Sequence, residues 1–110
     1  MSNLIAKTRV VSIEGREYII KFDMTSIEVF QDIMGSGISN YIGDLIKFND
    51  RVVLAFLAAA LRSKSDPEKP LGNRIYSEFD ILTLLVSCAD AVALIVIDSL
   101  PKSNNRVKKK

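Results

Sequence analysis

The sequence predicts an α+β fold, mostly helical, with a short N-terminal β-hairpin packed on three to four α-helices. Three observations lead there. Residues 9–22 carry a period-2 pattern around Glu14-Gly15. The apolar residues after them recur at helical spacing in segments bounded by capping residues and glycines. The near-uncharged run "ILTLLVSCADAVALIVI", Ile81 to Ile97, is too long for a strand.

In the hairpin, "RVVSIEGREYIIKF", Tyr18, Ile20 and Phe22 alternate with Glu17, Ile19 and Lys21, as in a half-buried strand. Gly15 supplies the positive φ that a tight turn needs. A lone hairpin is marginal in water, so it must lie on the helices. The first helix lies within "TSIEVFQDIMGSG". Thr25 with Glu28 three residues on forms a capping box, Ile27, Phe30, Ile33 and Met34 share one face, and Gly35 ends it. "SNYIGDLIKF" makes a second short helix, weakened by Gly43. Asn49 or Asp50 caps a third, "RVVLAFLAAALRS", where Ala58, Ala59 and Ala60 let a neighbouring helix approach closely. Residues 63–74, "SKSDPEKPLGNR", form a polar loop with two prolines and a glycine. Ser77 is expected to cap the last helix, with Asp80 in its first turn and Pro101 marking its end. The expected organisation is therefore a single domain over 1–100 and a disordered basic tail over 101–110.

Charge and composition remove several classes of function. All 13 acids precede the last nine residues and face ten bases there, which gives a body of net −3; "KSNNRVKKK" adds five positive charges. An acidic body with a basic end lacks the folded basic face of a nucleic-acid-binding domain, so no nucleic-acid partner is expected. With no histidine and one cysteine, neither a histidine- or cysteine-rich zinc site nor an intramolecular disulfide can form. Cys88 has apolar neighbours and is read as a core side chain. Asp23, Asp32 and Asp44 are scattered acids of a solvated face, not a metal cluster. No phosphate-binding glycine loop or nucleophile–base set is present; the chain is expected to be non-enzymatic, without metal or cofactor. The N-terminus "MSNLIAKTRV" has no long apolar signal-like run, which favours a cytoplasmic setting.

The last helix carries the functional argument. At about 100° per residue, Asp80, Thr83, Ser87, Asp90 and Asp98 share an arc of roughly 80°, interrupted by Leu94. Ile81, Leu85, Val92 and Val96 lie opposite, with Cys88 and Ile95 on one flank. A carboxylate at a bilayer centre costs about 2.5–3.5 kcal/mol, so burial in protein is preferred over a membrane. The wide apolar face exceeds what a small domain can cover. Ile81, Leu85, Cys88, Val92, Ile95 and Val96 are therefore the candidate interface, either for self-association or for an apolar client.

The stretch "IEGREYIIKFDMTSIEVFQDIMGSGISNYIGDL", followed by the alanine- and leucine-rich "VVLAFLAAALRS", a polar loop and a final helix, resembles the tail assembly chaperones of long-tailed bacteriophages and prophages. The likeness is one of pattern over roughly Ile13 to Leu100. Many members carry an acidic pair before the glycine that ends the first helix, where this chain has Gln31 and Asp32. The resemblance implies a self-associating chaperone in the host cytoplasm, absent from the mature virion. Its partner would be the apolar tape-measure protein, coated until the tail tube polymerises, with the tail-tube protein as a further candidate. It also implies that a longer form, made by frameshifting near the lysine codons of "RVKKK", can accompany the short one. The alternative is a small membrane-associated protein anchored by the last helix, with the basic tail at the cytoplasmic surface.

Overall fold

Two strands open the computed structural model, which describes residues 7–100. β1 (Thr8–Ile13) pairs antiparallel with β2 (Arg16–Lys21), in a register that sets Val11 against Tyr18 and Ile13 against Arg16. The turn residues Glu14 and Gly15 both have positive φ, 52° and 80°, the combination that matches hairpin twist. Val11, Ile13 and Ile20 are buried on one face, and Phe22 just beyond β2 is buried with them.

Asp23 caps the first helix, α1 (Met24–Met34). Its carboxylate accepts from the Ser26 backbone N–H at 3.1 Å, while the Ser26 hydroxyl accepts from the Asp23 N–H at 3.1 Å. The capping box is thus Asp23–Ser26, not the expected Thr25–Glu28. Because β2 runs to Lys21, the chain must turn at once, and Asp23 is the residue in position to satisfy the first free N–H groups. Gly35 ends α1 as expected, at φ 78° with its N–H on the Gln31 carbonyl.

The next segment forms a 3-10 turn (Ile38–Asn40) and the short helix α2 (Ile42–Ile46). Asn49 then caps α3 (Asp50–Ala60), accepting from the Val52 N–H at 3.3 Å. The end of this helix differs from the expected one. Helical spacing continues through Ser63, whereas residues Leu61–Ser63 form a third strand, β3, antiparallel to β2 with Leu61 opposite Ile20. No glycine or proline marks that change, so local pattern continues the helix while pairing with β2 and a bond from Leu71 N–H to Leu61 O (2.9 Å) end it. The sheet order is β1-β2-β3.

After the polar loop, a 3-10 turn (Gly72–Arg74) leads into α4 (Ile75–Glu78) and then α5 (Ile81–Ser99). The cap of α5 is Asp80, which accepts from the N–H and hydroxyl of Thr83 at 3.0 and 2.9 Å. These two donors hold the Asp80 carboxyl below its ordinary value. Ser77, expected at this cap, lies inside α4 and donates to the Arg74 carbonyl instead. Extended backbone at Phe79 separates the two helices.

α3 lies centrally, against α1 on one side and α5 on the other, and α5 also packs on β1 and β2. Every residue from Ala55 to Leu61 is buried, Ala58, Ala59 and Ala60 fully. Phe56 of α3 stacks on Phe30 of α1 with ring centroids 4.1 Å apart and meets Phe22 at 5.9 Å, which locks the first helix to the sheet end. Buried apolar residues from β1 to α5 form one connected core. The fold is α+β and mostly helical. The basic tail, 101–110, lies outside the described residues.

Candidate functional site

The polar seam of α5 stands at the surface: Asp80, Ser87, Asp90 and Asp98 are exposed, and Leu94 among them is 54% exposed. The opposite face is covered by the chain itself. Cys88, Val92, Ile95 and Val96 are buried in the core, and Ile81 and Leu85 are half-buried. The candidate interface therefore packs largely against α3 and the sheet, with only parts of Ile81 and Leu85 left at the surface. Burial pushes the Cys88 thiol up to about 11, so it is a core side chain with little thiolate character.

The exposed apolar surface lies elsewhere. Leu82 (70% exposed) and Val86 (79%) border the seam, roughly 80° and 40° from Asp90 around the helix. Farther along α5, Asp90, Ala93, Leu94 and Ile97 meet Ile46 and Phe48 beyond α2 across an open groove of about 400 Å³. Ile46 is 58% exposed and Phe48 46%. Apart from Asp90, every residue lining the groove is apolar.

Phe48 occupies an unusual backbone position. Its N–H bonds to the Leu45 carbonyl (2.9 Å), and the Asn49 N–H bonds to the Asp44 carbonyl (3.0 Å). This is the paired hydrogen-bond pattern of a Schellman helix end, with Phe48 at the position that glycine normally fills. Its φ is 58°. A bulky aromatic held there carries local strain of about 1–3 kcal/mol. Local pattern does not announce this turn, because the glycine that would mark it is absent.

A second polar cluster was also missed. Arg62 of β3 is fully buried, and its guanidinium donates to both Asp23 carboxylate oxygens (2.8 and 3.3 Å), to the Ser26 hydroxyl (2.9 Å) and to the Pro67 carbonyl (3.0 Å). It ties β3, the start of α1 and the polar loop together. Its Nε has no partner among the described residues. Burial raises the Asp23 carboxyl, but the Arg62 guanidinium and the Ser26 donors outweigh that and hold it below its ordinary 3.8. A lowered folded-state value means that the stabilisation is complete above the ordinary value and is lost as pH falls through the folded one. Urea midpoints measured from pH 7 down to pH 2 should therefore fall with pH in the wild type, and less steeply in Asp23→Asn. Parallel profiles would show that Asp23 does not contribute to acid unfolding. Apart from Arg62 Nε, the cluster is satisfied internally, and it serves as a clamp.

Among the described residues, no three His, Cys, Asp or Glu side chains come together as a metal-holding group, and Asp23, Asp32 and Asp44 are not so gathered. α5 has a mean hydropathy of 2.3 and is long and apolar enough to cross a membrane by length and composition. Comparison with protein-family models, curated proteins and solved structures gives no match.

Proposed function

We propose that the chain is a non-enzymatic tail assembly chaperone that holds the apolar tape-measure protein in solution until the tail tube polymerises around it. The observation that carries this is the exposed apolar strip of Leu82, Val86, Leu94, Ile46 and Phe48 on a body of net −3. Exposed apolar side chains grouped in this way mark an interaction site. The order of elements, which resembles that of phage tail assembly chaperones, supports the same reading. Self-association and contact with the tail-tube protein belong to the proposal as further partners; self-association would use surface away from α5, whose one face is largely packed in the core and whose other carries Asp80, Asp90 and Asp98.

The test is co-expression with a tape-measure protein from the same genome. The soluble fraction of the tape-measure protein should rise several-fold when this chain is present. No rise would overturn the chaperone reading.

A second reading, a membrane-associated protein anchored by α5, is favoured by the length and hydropathy of that helix. Insertion would strip from α3 and the sheet the residues that α5 buries there. It would also place Asp90 near the bilayer centre, at about 2.5–3.5 kcal/mol for the carboxylate alone. Fractionation of a detergent-free lysate decides between them: the chaperone stays in the supernatant, whereas an anchored protein sediments with membranes and resists a carbonate wash.

A further inference from the structure

We propose that the groove between α2 and α5 docks an amphipathic helical segment carrying a basic side chain, with Phe48 as its apolar anchor and Asp90 as its charged one. The proposal names the client class for the chaperone reading and rests on that reading for its biological setting.

Phe48 is the first reason. It stands where glycine would relieve the backbone, at φ 58°, yet the residue is nearly half exposed and lines the groove. Folding alone does not account for an aromatic there, and strain retained at an open apolar site is a mark of function. Charge is the second. Asp90 is the one carboxylate lining the groove and has no ion-pair partner among the described residues. From its cap to its end, α5 carries Asp80, Asp90 and Asp98 and no lysine or arginine. At the facing turn Lys47 and Arg51 balance Asp44 and Asp50, so the excess charge at the groove is that of α5. A second copy docked through α5 would set acids against acids, and an anionic lipid surface would meet the same repulsion. A helix with an apolar face and a lysine or arginine complements both features. Length is the third. Leu82, Val86 and Leu94 extend the apolar strip over about 18 Å at 1.5 Å per residue, the span of about three turns of a docked helix.

The probe is a fluorescent peptide of about 18 residues, with leucine and alanine on one helical face and lysines beside them, together with a twin carrying glutamate for lysine. Anisotropy titrations of the full chain should show the lysine peptide binding about tenfold or more tighter than its twin. Phe48→Gly should weaken the lysine peptide about tenfold while leaving Tm unchanged or raised, because glycine relieves the strain as it removes the anchor. Asp90→Asn should narrow the gap between the two peptides. The proposal is overturned if neither peptide binds, if both bind equally, or if Phe48→Gly lowers Tm and leaves the affinity untouched. It is also overturned if the main effect of Phe48→Gly is to dissociate a dimer or to release the protein from phospholipid vesicles, since the occupant is then a second copy or lipid. Peptide discrimination without tape-measure solubilisation would remove the chaperone reading and keep the groove; the reverse pattern would remove only the groove assignment.

Discussion

Replacing Asp23 by alanine is expected to destabilise the fold by about 3–5 kcal/mol, because it leaves the Arg62 guanidinium buried without its counter-charge. Arg62 has no exposed surface, and Asp23 accepts from both of its terminal nitrogens. What remains for it is one hydroxyl, from Ser26, and one carbonyl, from Pro67. The same substitution removes the cap of α1, a loss of about 1 kcal/mol taken alone. Domains of this size hold about 5–15 kcal/mol in total, so the variant should sit near the edge of stability. Arg62→Met makes the informative contrast. It removes the buried charge and keeps an apolar stem, while Asp23, partly exposed, turns to water and keeps its bonds to Ser26. That variant should lose much less than Asp23→Ala. Urea unfolding of both variants checks the order, and a loss below about 1 kcal/mol for Asp23→Ala would mean that water reaches the guanidinium.

How much of this could be foreseen depends on the range over which each feature is determined. The hairpin was legible because Glu14-Gly15 and the alternation around it are local. So were the stop at Gly35 and the cap at Asn49. The cap of α1 was misplaced because Thr25–Glu28 and Asp23–Ser26 both fit a capping pattern, and the tie is broken only by where β2 ends. β3 was invisible: Leu61, Arg62 and Ser63 continue a helical pattern without a breaker, and only pairing with Ile20 and Ile19 makes them a strand. The burial of Arg62 depends on Asp23, 39 residues away. On α5 the seam could be drawn from spacing, but which apolar flank stays open could not. That is settled by where α3 and β1 lie, and they cover Val92 and Val96 while leaving Leu82 and Val86 exposed. The groove was missed for the same reason, since Phe48 and Leu94 come to line one groove only through the tertiary fold.

The contrast between positions 92 and 90 tests that placement most sharply. Val92→Asp should cost about 3–5 kcal/mol, and Asp90→Asn should change stability by less than about 0.5 kcal/mol. Val92 is fully buried, so a carboxylate there loses its hydration. Asp90 is exposed and has no ion pair to lose among the described residues. At about 4–8 °C per kcal/mol, Val92→Asp should lower Tm by about 20 °C, enough to send much of the expressed protein into inclusion bodies. Val92→Ala, which removes the same methyl groups without adding charge, should fall much less and isolates the electrostatic part. The pH profile gives a second readout. Burial raises the folded-state pKa of the carboxyl introduced by Val92→Asp above its unfolded value, so its cost is full above the folded value and shrinks as pH falls toward the unfolded one. Asp23 has the opposite slope, since its folded value is lowered. Between about pH 7 and pH 5, Val92→Asp should therefore regain stability relative to wild type. Equal and severe losses from Val92→Asp and Asp90→Asn would mean that the seam does not face water and that the helix is rotated from the orientation described.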